Sequence, residues 1–202
     1  PLTTRFGHGS VTVTVKMQIN EGGAFPWHYD NPAPPNKRKV TIAVYLTSNW
    51  QAADGGALEL WPFLAPPPTS IAPRMNTVVI FRSDLVLHRV EKLKPTARRT
   101  CFTIWFDSDN VNHDEDVNLR EKHLVQTSVP HLRRSPLQRS LSRLLYDAEY
   151  RSSLSECFGE ASREYAISIK LHDAHCAPLL KNAKLAEFVA LLRSLQADPI
   201  KT

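Results

Sequence analysis

The sequence predicts an all-β sandwich or barrel, of which the double-sheet jelly roll is one form, followed by a mostly helical region. Three observations carry this. Six or seven β-rich runs recur at short intervals between Val11 and Asp107, with turn signals between them. No helical period intervenes. After about residue 110 the texture changes: proline falls from 11 in the first 110 residues to 4 in the rest, and apolar residues recur at helical spacing. The expected division is a β core over 1–110 and a helical extension over 111–202, serving as packing support or as a partner-binding region.

The elements follow in order. Val11-Thr12-Val13-Thr14-Val15 alternates strictly, with apolar character continuing through Met17 and Ile19, which predicts a strand. Glu21-Gly22-Gly23 is expected to break it, and Asn31 to Asn36, with three prolines, to form a loop. Lys39 to Thr47 places Val40, Ile42, Val44 and Leu46 on one face and Thr41, Ala43 and Tyr45 on the other. Asn49 to Asp54 turns, and Gly55-Gly56 precedes a short strand, Ala57 to Trp61, ended by Pro62. Residues 62–73 are proline-rich and read as irregular. Thr77 to Phe81 and Leu85 to Val90 are strands, and Lys92 to Ala97 reads as a basic loop closed by Pro95. Arg99 to Asp107 is apolar on both sides, as a strand inside a sandwich must be. Beyond residue 110, Ser135-Pro136 predicts a helix start, with Leu137, Leu141, Leu144, Leu145 and Ala148 at helical spacing. Asn182 caps a second helix carrying Leu185, Phe188, Val189, Leu192 and Leu195, which should stop at Asp198-Pro199. Tyr165, Ile167, Ile169 and Leu171 alternate like a short strand.

Composition narrows the function classes. The 202 residues suffice for one domain with a core and an appendage, and no apolar run is long enough to span a bilayer, so no membrane partner is expected. Three scattered cysteines exclude a disulfide framework or a zinc cluster and favour a reducing compartment, cytoplasmic or nuclear. The chain begins at Pro1 rather than Met, which suggests processing or a partial chain. Net charge is +5, and the excess sits in the first 110 residues, with 12 Lys/Arg against 8 Asp/Glu. Such a surface suits an acidic partner.

His28 and Asp30 are spaced i, i+2, which puts both on one face of an extended strand. Together they grip an ion but leave it under-ligated. Of the other histidines, His8, His113, His123, His131, His172 and His175 lie outside β-runs, and His88 alone is embedded in one. Two histidines and a carboxylate on a jelly roll make a facial triad that suits Fe(II) and leaves open positions for oxygen chemistry. Arg99 follows His88 by 11 residues, so a turn and a return strand bring it back beside the metal. A buried arginine needs an anion, and a dicarboxylate cosubstrate held by its bidentate fork supplies one.

His28-Tyr29-Asp30, then His88, then Arg99 resembles the pattern of the Fe(II)/2-oxoglutarate-dependent dioxygenases. The sequence is most similar to their prolyl-4-hydroxylase-like branch, especially the hypoxia-type protein prolyl hydroxylases. The blocks that carry the likeness lie in order over residues 11–107: His28 to Asn31, Val40 to Leu46, Trp50 with Gly55 to Pro62, Val79 to Val90, and Arg99 to Asp107. The resemblance implies a double-stranded β-helix core with His28, Asp30 and His88 holding iron. It implies that Arg99 pairs with the distal carboxylate of 2-oxoglutarate and that Tyr45 hydrogen-bonds to it. Arg99, Cys101, Thr103 and Trp105 share a face, which puts Thr103 and Trp105 at the pocket wall. Gln18 stands where the hypoxia-type enzymes have a tyrosine. The family's core has helices before its first strand, where this chain has about ten residues. Either an N-terminal portion is missing or residues 130–200 supply the packing.

The implied reaction uses Fe(II) as cofactor, with ascorbate as reductant, consumes 2-oxoglutarate and O2, and hydroxylates an amino-acid side chain, foremost prolyl, in a protein or peptide. Asp30 leaves no ligand position for a halide, which favours hydroxylation over halogenation. The loop from Asn31 to Lys39 would be the substrate lip, its basic run facing an acidic segment. The alternatives are a nucleic-acid demethylase of the same superfamily or a non-catalytic jelly roll that binds a partner. No second arginine follows Arg99 before Trp105, which disfavours nucleic acid, and the intact triad disfavours a vestigial site.

Overall fold

A computed structural model describes residues 11–65, 67–108, 120 and 128–197. Among them, six strands are followed by five α-helices. The strands are β1 (Val11–His28), β2 (Arg38–Tyr45), β3 (Leu58–Pro62), β4 (Thr69–Ile71), β5 (Val78–Arg82) and β6 (Val86–Ser108), with a 3₁₀ turn at Ala52–Asp54. The helices are α1 (Val129–Leu132), α2 (Leu137–Leu145), α3 (Asp147–Phe158), α4 (Arg163–Leu180) and α5 (Ala183–Ala197). No helix among the described residues is long and apolar enough to cross a membrane.

The sheet runs β4-β3-β6-β2-β5, with β1 pairing antiparallel to β6. Two long strands build the jelly roll. The first part of β6 pairs with β3 and with the end of β1, while its last part pairs with β2 and the start of β1. The break expected at Glu21-Gly22-Gly23 and the loop expected at Lys92–Ala97 are therefore corrected to one continuous, bent ribbon. As β1 advances from Glu21 to Gly23, its partner on β6 jumps from Arg98 to Leu93. The surplus β6 residues are absorbed as a bulge, which bends a ladder without ending it. Gly22 and Gly23 both adopt positive φ there.

Residues 62–73 are less irregular than expected, because Thr69–Ile71 forms β4 against β3. Gly55 and Gly56 have positive φ, and a Cβ on Gly55 would run into the Lys92 carbonyl oxygen. Glycine lets this turn approach β6, and Trp50 Nε1 donates to the Gly55 carbonyl at 2.8 Å.

The helices depart from expectation in detail. Tyr165, Ile167, Ile169 and Leu171 lie on α4, not on a strand. The buried stripe of α4 holds His172 and Cys176 at helical spacing, whereas Ile167 and Leu171 face solvent. Polar residue types on the inner face hid the 3.6-residue period. Ser162 caps this helix by accepting from Tyr165 N–H at 3.0 Å. Helix α2 begins at Leu137, one residue later than expected, with Ser135 Oγ accepting from Leu137 N–H at 3.2 Å. Ala148 is exposed, because the chain turns at Tyr146 and Ala148 belongs to α3. Asn182 Oδ1 accepts from Leu185 N–H at 3.2 Å, as an N-cap should. The expected stop at Asp198-Pro199 lies outside the described residues, as do His8, His113 and His123.

One apolar cluster spans both halves: Trp27, Tyr29, Trp61, Phe63 and Leu87 from the strand region meet Leu141, Leu144, Tyr146, Val189 and Leu192 from the helical region. Trp61 stacks on Tyr146 with ring centroids 3.9 Å apart. Leu64 N–H donates to Tyr146 Oη at 3.1 Å. These helices cover the His28 end of β1 and leave the outer face of its first half open, where Val13, Val15, Met17 and Ile19 remain exposed.

Candidate active site

The stretch from Trp27 to Asn31 divides by parity. Trp27, Tyr29 and Asn31 are buried and turn to the helices. Tyr29 Oη donates to Ser142 Oγ at 2.7 Å, and the buried Arg139 donates to the Asn31 carbonyl at 2.8 Å. His28 and Asp30, between them, point into a cavity of about 360 Å³. Rigid anchorage of alternate residues holds the intervening pair in place.

His88 joins them from β6, where it pairs across the ladder with His28. The two imidazole centroids are 4.2 Å apart. His28 Nε2 lies 3.7 Å from Asp30 Oδ1, and His88 Nε2 lies 3.8 Å from Asp30 Oδ2. His28 Nδ1 donates to the Pro26 carbonyl at 2.8 Å and His88 Nδ1 to the Val86 carbonyl at 3.1 Å. A carbonyl only accepts, so each Nδ1 carries a proton, and each Nε2 is the ring nitrogen turned toward Asp30. Phe81 packs on His88 with centroids 4.7 Å apart.

Asp30 Oδ2 accepts from Thr41 Oγ1 at 2.6 Å and from Trp105 Nε1 at 3.0 Å. Ser83, 2.8 Å from Thr41 Oγ1, donates to it in turn. Burial pushes the Asp30 carboxyl up. The neighbouring His28 and His88 rings and the Thr41 hydroxyl outweigh that and hold it well below the usual carboxylate range. Burial lowers His88 to about 3, with His28 contributing, so its ring is neutral at neutral pH. An ionised carboxylate and neutral imidazoles are the forms in which these groups bind a metal. Two imidazole nitrogens and one carboxylate suit Fe(II) better than a thiolate-preferring ion.

The same cavity holds Arg99, Tyr45, Gln18, Thr103 and Trp105, so all eight residues singled out in the sequence line it. Arg99 is 5% exposed and Tyr45 fully buried. Arg99 Nη2 donates to Tyr45 Oη at 3.1 Å, Nη1 reaches Asn20 Oδ1 at 3.3 Å, and Nε has no hydrogen-bond partner. No carboxylate pairs with Arg99 among the described residues. Thr103 Oγ1 donates to Gln18 Oε1 at 2.9 Å, and Cys101 Sγ to the same oxygen at 3.5 Å. Gln18 thus occupies the wall beside Arg99. Trp105 binds Asp30 on one side and carries the Arg38 guanidinium 4.1 Å above its ring on the other.

Sequence reasoning missed Thr41, Asn20 and the anchoring pair Asn31 and Arg139. Thr41 shares the Tyr45 face by parity, which was the available signal. Arg139 had none, since its partner lies 108 residues away in sequence. Of the basic run beside the metal, Lys39 pairs with Asp84 at 3.6 Å, and Arg38 lines the cavity.

Comparison with known proteins places this geometry. Residues 13–107 match the 2OG-Fe(II) oxygenase superfamily. A hypoxia-inducible factor prolyl hydroxylase from Caenorhabditis elegans is 36% identical over 87 residues, 42% of this chain and 12% of the nematode protein. A solved structure of prolyl 4-hydroxylases from Phytophthora capsici is 41% identical with a TM-score of 0.77, covering 92% of this chain and 62% of that one. The chain therefore spans less than two thirds of the length of either relative.

Proposed function

For a chain whose residues 13–107 belong to the 2OG-Fe(II) oxygenase superfamily, we propose an Fe(II)- and 2-oxoglutarate-dependent oxygenase that hydroxylates a prolyl side chain in a protein or peptide. The observation that carries this is Arg99. A buried guanidinium with an unbonded Nε, and with no carboxylate partner among the described residues, stands in one cavity with two imidazoles and a carboxylate whose pKa is held low. Leaving such a charge unpaired is costly, and the distal carboxylate of 2-oxoglutarate is the anion that fits.

In this reading His28 Nε2, His88 Nε2 and Asp30 hold iron. Bound there, Fe(II) with 2-oxoglutarate and O2 supplies an oxidant strong enough to hydroxylate an unactivated C–H bond. The chain's own residues position and protect. The Pro26 and Val86 carbonyls fix the tautomers of the two histidines. Thr41 and Trp105 hold the Asp30 carboxylate, and Thr41 is itself held by Ser83. Arg99 and Tyr45 bind the distal carboxylate, with Gln18 and Thr103 closing the wall beside them. Phe81 covers His88 and keeps water from that side of the site. The prolyl substrate is supported by the likeness to the Phytophthora and nematode proteins. Ascorbate as reductant and a cytoplasmic or nuclear setting complete the proposal.

Anaerobic titration with Fe(II) and then 2-oxoglutarate tests it. The expected result is a visible metal-to-ligand charge-transfer band that saturates with 2-oxoglutarate. A protein that binds Fe(II) without developing the band on adding 2-oxoglutarate would refute the oxygenase reading.

A further inference from the structure

A second cavity, of about 410 Å³, abuts the metal cavity, and His28 and Tyr29 line both. Its other walls come from the loop after Asp30, at Pro32 and Ala33, and from three helices. Helix α2 brings Arg139 and Arg143, α3 brings Tyr150, and α4 brings His175. Among the described residues, no Asp or Glu lines it.

Its two arginines differ. Arg139 is buried and donates to the Asn31 and Pro136 carbonyls. Arg143 is half-buried, its guanidinium 5.9 Å from the Tyr150 ring, and no carboxylate pairs with it among the described residues. Arg143 also lowers His175, after burial, so the wall already senses positive charge. Across the first cavity, Arg38 lies over Trp105, and no carboxylate pairs with it among the described residues. Half-buried arginines on aromatic faces are pre-organised to receive a carboxylate through their planar fork. A polypeptide whose target side chain entered the first cavity past His28 would lay an adjacent residue along this second cavity.

We infer that the cavity behind His28 is a substrate subsite for an acidic side chain, with Arg143 the residue that receives its carboxylate. The inference rests on the peptide-oxygenase reading above and names the substrate class: an extended peptide with Asp or Glu close to the hydroxylated residue. It assigns to α2 a role in specificity as well as packing.

A randomised peptide library tests it. Each peptide carries a central proline, random flanking residues, an acetylated N-terminus and an amidated C-terminus, so side chains supply its only carboxylates. Products are isolated by the mass of one added oxygen and sequenced, and the charge-transfer band is read in the same enzyme samples. The expected result is enrichment of Asp or Glu at one or two positions beside the proline. Arg143→Gln should lose that enrichment and bind the enriched peptide about tenfold more weakly, as expected for a partly exposed charged pair. Arg143→Lys, which keeps the charge, should retain part of the preference. Oxidised peptides with no acidic enrichment, or enrichment unchanged in Arg143→Gln, overturn this inference and leave the oxygenase reading standing. A band with no oxidised peptide removes the peptide substrate, and this inference with it. No band removes the oxygenase reading itself.

Discussion

Two groupings of three potential metal ligands stand among the described residues, and they do different things. His28 and His88 sit on strands, with Asp30 just past the end of β1; Asp147, His172 and Cys176 sit on α3 and α4. Each contains an aspartate within 4 Å of a histidine Nε2. The difference lies in where the lone pairs go. In the strand site each histidine spends Nδ1 on a carbonyl and keeps Nε2 free. In the helix site His172 Nε2 is consumed in donating to Asp147 Oδ1 at 2.7 Å. Asp147 is further engaged by Arg151 Nε, 3.1 Å from both oxygens, and Arg151 reaches on to Asp173. Burial pushes the Cys176 thiol up to about 11, so it is protonated at neutral pH. The strand site offers unspent donors to an ion, whereas the helix site is a closed hydrogen-bonded tether between α3 and α4. Residue type and proximity do not make a metal site; available lone pairs and ionisation do.

The sharpest way to break this comparison is to exchange the histidines' fates. His88→Ala should abolish the Fe(II)–2-oxoglutarate band and drop turnover to background, while His172→Ala should keep the band and lower only thermal stability. A band lost in His172→Ala and kept in His88→Ala would reverse the assignment. Next in size is Arg99→Gln, which should weaken 2-oxoglutarate by at least about 30-fold, the cost of removing one partner of a buried charged pair. Isothermal titration against the Fe(II) form measures it. Smaller again is Thr41→Val, which removes a hydrogen bond to a ligating carboxylate. It should weaken Fe(II) by about 10- to 100-fold with the fold intact, read by competition with a chelator.

The smallest effect falls on the helix site. Asp147→Asn should cost about 1 kcal/mol in urea unfolding, because the network is partly solvent-screened. Burial pushes Asp147 up, but the hydrogen bonds from His172 and Arg151 outweigh it and lower the folded-state value. A carboxyl lowered in the folded state contributes stability that is present above the usual 3.8 and lost as pH falls below it. Asp147→Asn should therefore flatten the acid limb of stability against pH below about 4. An unchanged limb would mean the tether contributes nothing.

Much of the strand site was legible because its geometry is nearly one-dimensional. Side chains alternate along a strand, so parity alone places His28 with Asp30, Tyr45 with Thr41, and Arg99 with Thr103 and Trp105. The 23-residue β6 then carries both His88 and Arg99, so one strand delivers both side chains to one cavity. The helices were harder to read. On α4 the inward stripe is built from His172 and Cys176, so hydrophobic alternation pointed to the wrong period. The kink at Glu21 to Gly23 was also misread, since a glycine pair ends a strand or bulges it depending on what its partner does.

The sequence alone determined most of the strand positions, the faces they present and which side chains those faces gather into one cavity, because these follow from local alternation and side-chain chemistry. Only the tertiary structure decided that the C-terminal helices grip Trp27, Tyr29 and Asn31, the inward-turned neighbours of the ligands. It alone set Arg143 beside His28, across more than a hundred residues of chain. The physical reason is that such contacts depend on where two elements dock. Docking is fixed by the packing of Trp61 on Tyr146 and of Leu87 among the leucines of α2, and no local pattern encodes it.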